Sequence, residues 1–180
     1  MILQKINNFD LRISTWIYSK RQKWLTRLLV IITNTMERWL FVPILITFFV
    51  IIKLGNWQLV YLWFWGMVLC TSIFNLILKK IFKRYRPNES QLVKERHYSF
   101  PSGHVMTAIQ ISFQSLYLFV KNSQSTTFLF GFLTFAILFV LVIAFSRLYL
   151  GVHYLSDTIG SLFFGSLSVS VSILLFQLLK

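Results

Sequence analysis

Cysteine and acidic side chains are scarce in this sequence of 180 residues. The single cysteine, Cys70, lies within an apolar run, so the chain can form neither an intrachain disulfide nor a thiolate metal site. Only five residues are acidic, and no group of Asp, Glu and His has the spacing of metal ligands. We therefore expect neither a metal nor another cofactor.

Basic residues are abundant instead. Eighteen Lys and Arg give a formal net charge of +13, which predicts anionic partners. They lie in short segments between apolar runs, with no soluble module to carry them. This arrangement argues against nucleic acid and favours anionic lipid head groups and phosphate. The expected partners are a lipid bilayer and a phosphate-bearing lipid.

The composition is that of a membrane protein. Hydrophobic residues make up 56% of the chain and the mean hydropathy is +0.67, whereas a soluble domain is about 45–50% apolar. Apolar stretches of this length are expected to be helices, because an isolated strand cannot cross hydrocarbon. We predict an all-α, polytopic transmembrane bundle in the plasma membrane. Its five spans are Trp39–Ile52, Leu59–Leu78, Val105–Val120, Phe128–Phe145 and Leu155–Leu179.

Residues 1–35 differ from the remainder, residues 36–180, which we expect to form the membrane-embedded domain. In the N-terminal segment aromatic and aliphatic residues alternate with lysine and arginine, a pattern typical of an amphipathic helix that lies on the membrane surface. The run Leu28–Thr35 is also compatible with a sixth, short span. Met1–Asp10 has neither the apolar core nor the cleavage pattern of a signal peptide, so we expect an unprocessed chain.

The first of three polar motifs follows the second predicted span. Residues 79–86 contain five cations, the last of which is Arg86, and Pro87 follows. One interpretation is a basic fringe that reaches towards the lipid head groups. The other requires Lys79 and Arg86 to turn inward and bind an anion, Arg86 through its planar fork and Lys79 as a point charge.

The second motif, Pro101-Ser102-Gly103-His104, directly precedes the third predicted span. Ser102 is a favourable N-cap and Gly103 permits close approach of a ligand to the backbone, so the helix start could bind an anion beside His104. The alternative is a capped helix start with an interfacial histidine.

The third motif lies between the last two predicted spans and contains Ser146-Arg147, His153 and Asp157. If the segment is helical, His153 and Asp157 share a face, and the carboxylate can orient the imidazole as in a catalytic triad. A purely structural His–Asp pair is the alternative. A carboxylate among apolar residues is in either case expected to have a partner.

Together the three motifs resemble the signature of the type 2 phosphatidic acid phosphatase superfamily. Lys-x6-Arg-Pro, Pro-Ser-Gly-His and Ser-Arg-x5-His-x3-Asp occur in that family's order and spacing, over Leu59 to about Val169. The resemblance implies a small bacterial membrane phosphatase that hydrolyses a lipid phosphate through a phosphohistidine.

The resemblance also implies a role for each motif residue. His153 would be the nucleophile, Asp157 would orient it, and His104 would be the general acid. Five further residues would hold the phosphoryl oxygens: Lys79, Arg86, Ser102, Gly103 and Arg147. Fixed cations can neutralise a phosphoryl group without a metal, so we expect a metal-independent enzyme.

Several substrates and one alternative function are compatible with these motifs. Phosphatidic acid, phosphatidylglycerol phosphate and undecaprenyl pyrophosphate all present a terminal phosphoryl group. Vanadium-dependent haloperoxidases share the motifs but are soluble, so the membrane character of this chain argues against them. A non-catalytic lipid-phosphate binding or transport protein is the alternative, although it would leave the His153–Asp157 pair unexplained. The oligomeric state is left open.

With five spans, the three motifs and the N-terminus lie on the same side of the membrane. Fifteen of the 18 Lys and Arg fall on that side, which by the positive-inside rule favours the cytoplasm. The family resemblance implies the outer face instead. Three of the fifteen are proposed phosphate ligands, which weakens the charge argument, and on the family resemblance we expect an extracytoplasmic active site.

Overall fold

The computed structural model describes residues 2–38, 58–87, 91–95, 97–122 and 126–178. Within these ranges the chain forms six helices and no strand, which confirms the predicted all-α class. The predicted first span, Trp39–Ile52, lies outside the described residues. The helices are α1 (Ile2–Ser19), α2 (Lys23–Arg38), α3 (Gln58–Phe82), α4 (Gly103–Asn122), α5 (Thr126–Tyr149) and α6 (Leu155–Leu178).

Three of the described helices, α3, α5 and α6, are long and apolar enough to cross a membrane. Each contributes a span of 24 residues, which at 1.5 Å per residue is about 36 Å and exceeds the hydrocarbon thickness of about 30 Å. Their outer faces carry large apolar side chains such as Phe130 and Phe163, each 67% exposed. Such a surface is suited to lipid rather than water.

Helix α4 occupies the centre of the bundle and packs against α3, α5 and α6. Val105 and Ala108 are fully buried in this core. The helix covers the predicted span Val105–Val120, yet its hydropathy is lower than that of the three apolar helices, because its buried face includes Gln110 and Gln114. Polar side chains are tolerated here because neighbouring helices, and not lipid, surround them.

The N-terminal segment forms two helices, where one amphipathic helix is predicted. Ile17 of α1 and Leu29 of α2 are buried in a cluster with Leu148. Trp16 and Trp24 are more than 60% exposed, as expected of interfacial aromatics. The segment is therefore attached to the bundle through one face and presents apolar side chains on the other.

The possible sixth span, Leu28–Thr35, is part of α2. The choice between five and six spans depends on residues 39–57, which lie outside the described ranges. The break between α1 and α2 is fixed to the bundle at Gln22, whose backbone N–H donates to the Tyr149 hydroxyl (2.5 Å).

The helix ends position the three motifs. Helix α3 ends, α4 begins, α5 ends and α6 begins at the same end of the bundle, and each motif occupies one of these ends or the adjoining loop. Backbone hydrogen bonds secure the loop between α3 and α4: Ser99 N–H donates to Arg84 O (2.8 Å) and Leu92 N–H to Leu150 O (3.0 Å). The fold thereby concentrates the polar residues at one end of an apolar bundle.

Candidate active site

His153 is at the centre of the convergent motifs and is 1% exposed. It lies in the turn between α5 and α6, which reverses at Gly151 with φ of 76°, a left-handed conformation that favours glycine. Its Nδ1 is 3.6 Å from Asp157 Oδ2, and its Nε2 is 3.3 Å from Arg86 Nη1. The imidazole is thus held between a carboxylate and a guanidinium group.

The His153–Asp157 pair forms across the start of α6: the helix begins at Leu155, so the condition that both residues are helical is not met. Asp157 lies in the first turn of α6, and its Oδ2 accepts a hydrogen bond from the backbone N–H of Tyr154 (2.9 Å). This contact is one half of a capping box: the acidic side chain at the third helical position reaches back to the N-cap N–H, while Asp157 N–H donates to the Tyr154 backbone carbonyl (3.1 Å). The cap brings the carboxylate towards His153, and the i, i+4 spacing arises from the turn.

The environment of His153 favours its neutral form. Burial lowers the pKa of His153 well below 6.5, and the positive charges of Arg86, Arg147, Lys79 and then His104 lower it further. These four groups come from all three motifs, so the structure brings the predicted site residues around one imidazole. A neutral imidazole can act as a nucleophile, whereas a protonated one cannot.

Arg86 and Lys79 both turn inward, as the anion-binding interpretation requires. Arg86 is 8% exposed and Lys79 is 7% exposed, whereas Lys80 and Lys83 are exposed. Backbone carbonyl groups fix the Arg86 guanidinium: Nη1 donates to Val152 O (2.8 Å) and Nε to His97 O (2.5 Å). A guanidinium held this rigidly is preorganised to bind an oxyanion.

The Pro-Ser-Gly-His motif forms the start of α4. Ser102 occupies the N-cap position, and its carbonyl accepts the N–H of Met106 (3.1 Å). Its hydroxyl does not cap the helix: Ser102 Oγ is buried and has no hydrogen-bond partner among the described residues, while its backbone N–H donates to Ser161 Oγ (2.7 Å). The motif therefore leaves one buried hydroxyl available at the site.

Gly103 lies where α3 closely approaches this helix start. A Cβ at position 103 would lie 3.0 Å from Asn75 Oδ1, and Asn75 Nδ2 donates to Pro101 O (3.1 Å). Asn75 thus fixes the motif from the neighbouring helix. Its position within an apolar run gave no sign of this role in the sequence.

Glu95 is the principal group at the site that sequence reasoning missed. Its carboxylate forms an ion pair with Arg147, which is fully buried, and its second oxygen lies 3.6 Å from Arg86 Nη2. The Glu95 carboxylate therefore contacts the two guanidinium groups that were expected to bind phosphoryl oxygens. Because Glu95 lies in a loop rich in cations, the sequence alone could not assign its partner.

Arg84 and Asp10 were also missed. Arg84 donates to Asp157 Oδ1 through Nη1 (2.6 Å) and to Asp10 Oδ2 through Nη2 (2.6 Å). Asp10 is in α1, far from the motifs in sequence, and Arg84 falls between the two basic residues of the signature. Within the described residues, no group of three or more His, Cys, Asp or Glu side chains is arranged to hold a metal ion. The charge at the site is mainly positive and suits an anion.

A family model for the PAP2 superfamily matches residues 60–180. Phosphatidylglycerophosphatase B of Bacillus subtilis (strain 168) is 31% identical over 168 residues, which cover 89% of this chain and 76% of the relative.

Two solved structures share the fold. The crystal structure of a transmembrane PAP2-type phosphatidylglycerolphosphate phosphatase from Bacillus subtilis has a TM-score of 0.85 at 26% identity, covering 98% of this chain and 88% of that chain. Aquifex aeolicus LpxE has a TM-score of 0.70 at 18% identity, with coverage of 91% and 93%.

The fold, the cationic site and these relatives define a membrane phosphatase. The chain belongs to the PAP2 superfamily, and the family match includes all three motifs. The resemblance inferred from the sequence is thereby confirmed, and the relatives support a lipid phosphate phosphatase.

Proposed function

We propose that this protein removes the terminal phosphate of a membrane lipid through a phosphohistidine formed on His153. One observation carries the proposal: the buried His153 imidazole has Nδ1 3.6 Å from Asp157 Oδ2 and Nε2 3.3 Å from Arg86 Nη1, and burial with neighbouring cations lowers its pKa. The nitrogen available for attack therefore adjoins the cations that would bind the phosphoryl group. A structural His–Asp pair would not require this concentration of positive charge.

In the first step, His153 Nε2 attacks phosphorus and a P–N bond forms while the bond to the lipid oxygen breaks. Protonated His104 donates its proton to the departing oxygen, which leaves as the lipid alcohol. The Nδ1–H group of His153 keeps its proton and donates a hydrogen bond to the Asp157 carboxylate, which stabilises the positive charge that develops on the ring. Apo separations such as 3.6 Å commonly shorten when substrate binds.

In the second step, water attacks the phosphorus and the P–N bond breaks. His104, now neutral, takes a proton from the water, so inorganic phosphate is released and both imidazoles return to their starting states. Positioning and charge neutralisation supply most of the catalysis in phosphoryl transfer. We therefore propose that the reaction requires no metal.

The phosphoryl oxygens are bound in this proposal by Lys79, Arg86 and Arg147 together with Ser102 and the backbone at Gly103. Glu95 occupies Arg147 and approaches Arg86 in the free protein, so substrate binding displaces its carboxylate. The phosphoryl group thus replaces an anion that the site already holds. The unpartnered Ser102 hydroxyl gains an acceptor at the same time.

An apolar cavity that runs along the bundle away from the motifs offers space for part of a lipid tail. A cavity of about 350 Å³ lies between α4 and α6 and is lined mainly by apolar side chains, including Ile109, Phe113 and Val169. Ile109 is five residues from His104, about 7.5 Å along the helix. A lipid phosphate can therefore place its head group at the motifs while its tail stays in the bilayer.

Phosphatidylglycerol phosphate is the first substrate to test, because the 31% identical relative is a phosphatidylglycerophosphatase. Phosphatidic acid and undecaprenyl pyrophosphate present the same terminal group and complete the panel. We further propose that the site faces the extracytoplasmic side of the plasma membrane. Labelling of a single cysteine introduced at exposed Lys83, in a Cys70→Ser background, in intact cells against permeabilised cells tests this orientation.

The test of function is phosphate release from each lipid by the detergent-solubilised protein, with EDTA present. The wild type is expected to release phosphate and His153→Ala to lose the activity. Lys80→Met, which alters an exposed cation one residue from the site, is the matched control. Binding of the lipids by folded wild-type protein without release would instead indicate the non-catalytic binding or transport function.

A further inference from the structure

Helix α1 places a buried carboxylate against the catalytic end of α6. Asp10 is fully buried, and its Oδ1 accepts the backbone N–H of Ser156 (3.0 Å). Its Oδ2 accepts the Ser156 hydroxyl (2.5 Å) and Arg84 Nη2 (2.6 Å). A carboxylate buried at this depth is costly unless it is paired, so these contacts fix its position.

Arg84 connects Asp10 to Asp157. While Nη2 donates to Asp10, Nη1 donates to Asp157 Oδ1 (2.6 Å) and to the Ser156 hydroxyl (2.5 Å). Its guanidinium also lies over the Tyr154 ring, 4.5 Å from the centroid. These four neighbours hold the guanidinium in one orientation, directly behind the carboxylate that faces His153.

This network determines which oxygen of Asp157 faces His153. Oδ1 is bound to Arg84, and Oδ2 accepts the N–H of Tyr154 and lies 3.6 Å from His153 Nδ1. With Oδ1 occupied, the carboxylate cannot rotate freely. Arg84 therefore sets the orientation of Asp157. Because Asp10 binds Nη2 of Arg84, only Nη1 donates a hydrogen bond to Asp157.

We infer that Asp10 and Arg84 are positioning residues for the nucleophile, and that α1 thereby completes the active site. The inference rests on the proposed function, because it assigns these residues to the orientation of His153. Neither residue belongs to the three-part signature, and Asp10 precedes the residues matched by the family model. The charges of the network also contribute. Two carboxylates around one guanidinium leave a net negative charge behind His153, which stabilises the positive charge that the His153 ring gains when it attacks phosphorus.

The two residues act on His153 with opposite signs. Arg84→Gln removes a positive charge and releases Asp157 Oδ1, so the pKa of His153 rises. The acid limb, which is the low-pH side of the pH profile of kcat/KM, then moves to higher pH. Asp10→Asn removes a negative charge and lets Arg84 bind Asp157 more fully, so the pKa of His153 falls and the limb moves to lower pH. The expected displacement is about half a pH unit in each direction. The other groups that face His153 are unchanged in both variants: Lys79, Arg86, Glu95, His104 and Arg147.

The experiment measures kcat and KM against pH for both variants with the most active lipid of the panel. Misalignment of the nucleophile is expected to lower kcat about tenfold to a hundredfold, with KM nearly unchanged because neither residue is among the proposed phosphate ligands. Arg84→Lys retains the positive charge and is expected to restore the wild-type acid limb, even where it restores kcat only in part. Arg12→Gln, an exposed charge change on α1, is the control expected to behave as wild type.

Thermal unfolding of each variant in detergent separates positioning from structural support. Opposite shifts of the acidic limb of the pH profile in Asp10→Asn and Arg84→Gln support the inference. If Arg84→Gln does not fold, the inference is supported by a shift to lower pH in Asp10→Asn together with an unchanged acidic limb in Arg84→Lys. Losses of activity that follow thermal stability, with no displacement of the limb, would overturn it and leave the proposed function intact. An inactive wild type would overturn both.

Discussion

Arg86 Nη1 lies 3.3 Å from His153 Nε2, the nitrogen proposed to attack phosphorus. A guanidinium at this distance disfavours protonation of the imidazole, and the same group can bind an oxygen of the incoming phosphoryl group. Activation of the nucleophile and recognition of the substrate are therefore properties of one contact. The same logic extends to Lys79 and Arg147, whose charges also lower the pKa of His153.

The first prediction concerns pH. Burial and the neighbouring cations hold the pKa of His153 below 6.5, so its neutral form persists as the pH falls below that value and is lost only at the lowered pKa. Lys79→Met removes one cation and is expected to move the acid limb of kcat/KM upward by about half a pH unit. Substrate ionisation is the same for both enzymes, so the difference reports on the protein. The exposed Lys80→Met is the control, and an unchanged or lower limb in Lys79→Met would contradict the prediction.

The second prediction concerns Glu95, which competes with anions for Arg147 and Arg86. Glu95→Gln removes the competing charge, so orthovanadate or inorganic phosphate is expected to inhibit the variant at about tenfold lower concentration. Inhibition curves measured on detergent-solubilised protein test this directly. Lys94→Gln, an exposed change in the same loop, serves as the control. Weaker inhibition of Glu95→Gln would show that the carboxylate supports the anion site instead of blocking it.

The third prediction separates stability from activity at Ser102. Within the part of the chain that the structure describes, the buried Ser102 hydroxyl has no hydrogen-bond partner, so Ser102→Ala is expected to leave the free energy of unfolding unchanged or raised. The same variant is expected to lower kcat/KM about tenfold, because it loses one hydrogen bond to the phosphoryl group. Ser161→Ala provides the contrast: its Oγ accepts from Ser102 N–H (2.7 Å) and donates to Asp157 O (2.6 Å), so its loss is expected to destabilise the protein. A Ser102→Ala variant that is destabilised and fully active would refute the assignment.

The sequence predicts the parts of this protein that depend on local pattern. Apolar runs locate α3, α5 and α6, since the membrane requires long helices with satisfied backbones. The spacing of the three motifs identifies the eight candidate site residues, which the fold brings to one end of the bundle. For α4, the apolar pattern gives its extent, while its central position follows from packing that the pattern does not contain.

The groups behind the site depend on contacts between distant segments and could not be predicted. Asp10 and Ser156 are 146 residues apart in sequence and in hydrogen-bond contact in the fold. Arg84 is one of several neighbouring cations, and only the fold distinguishes it from exposed Lys83. The sequence predicted that His153 and Asp157 would share a face if the segment were helical; the structure brings them within 3.6 Å through a capping interaction at the start of α6 instead.

The most direct test of the central claim is to trap the phosphoenzyme. Wild-type protein mixed with phosphatidylglycerol phosphate, or with another active lipid of the panel, is quenched at alkaline pH, where a phosphohistidine survives, and its peptides are analysed by mass spectrometry. The account predicts phosphate on His153 in the wild type and none in His153→Ala, with phosphate release lost in that variant. Turnover by the wild type without a phosphorylated His153, together with activity that persists in His153→Ala, would contradict it.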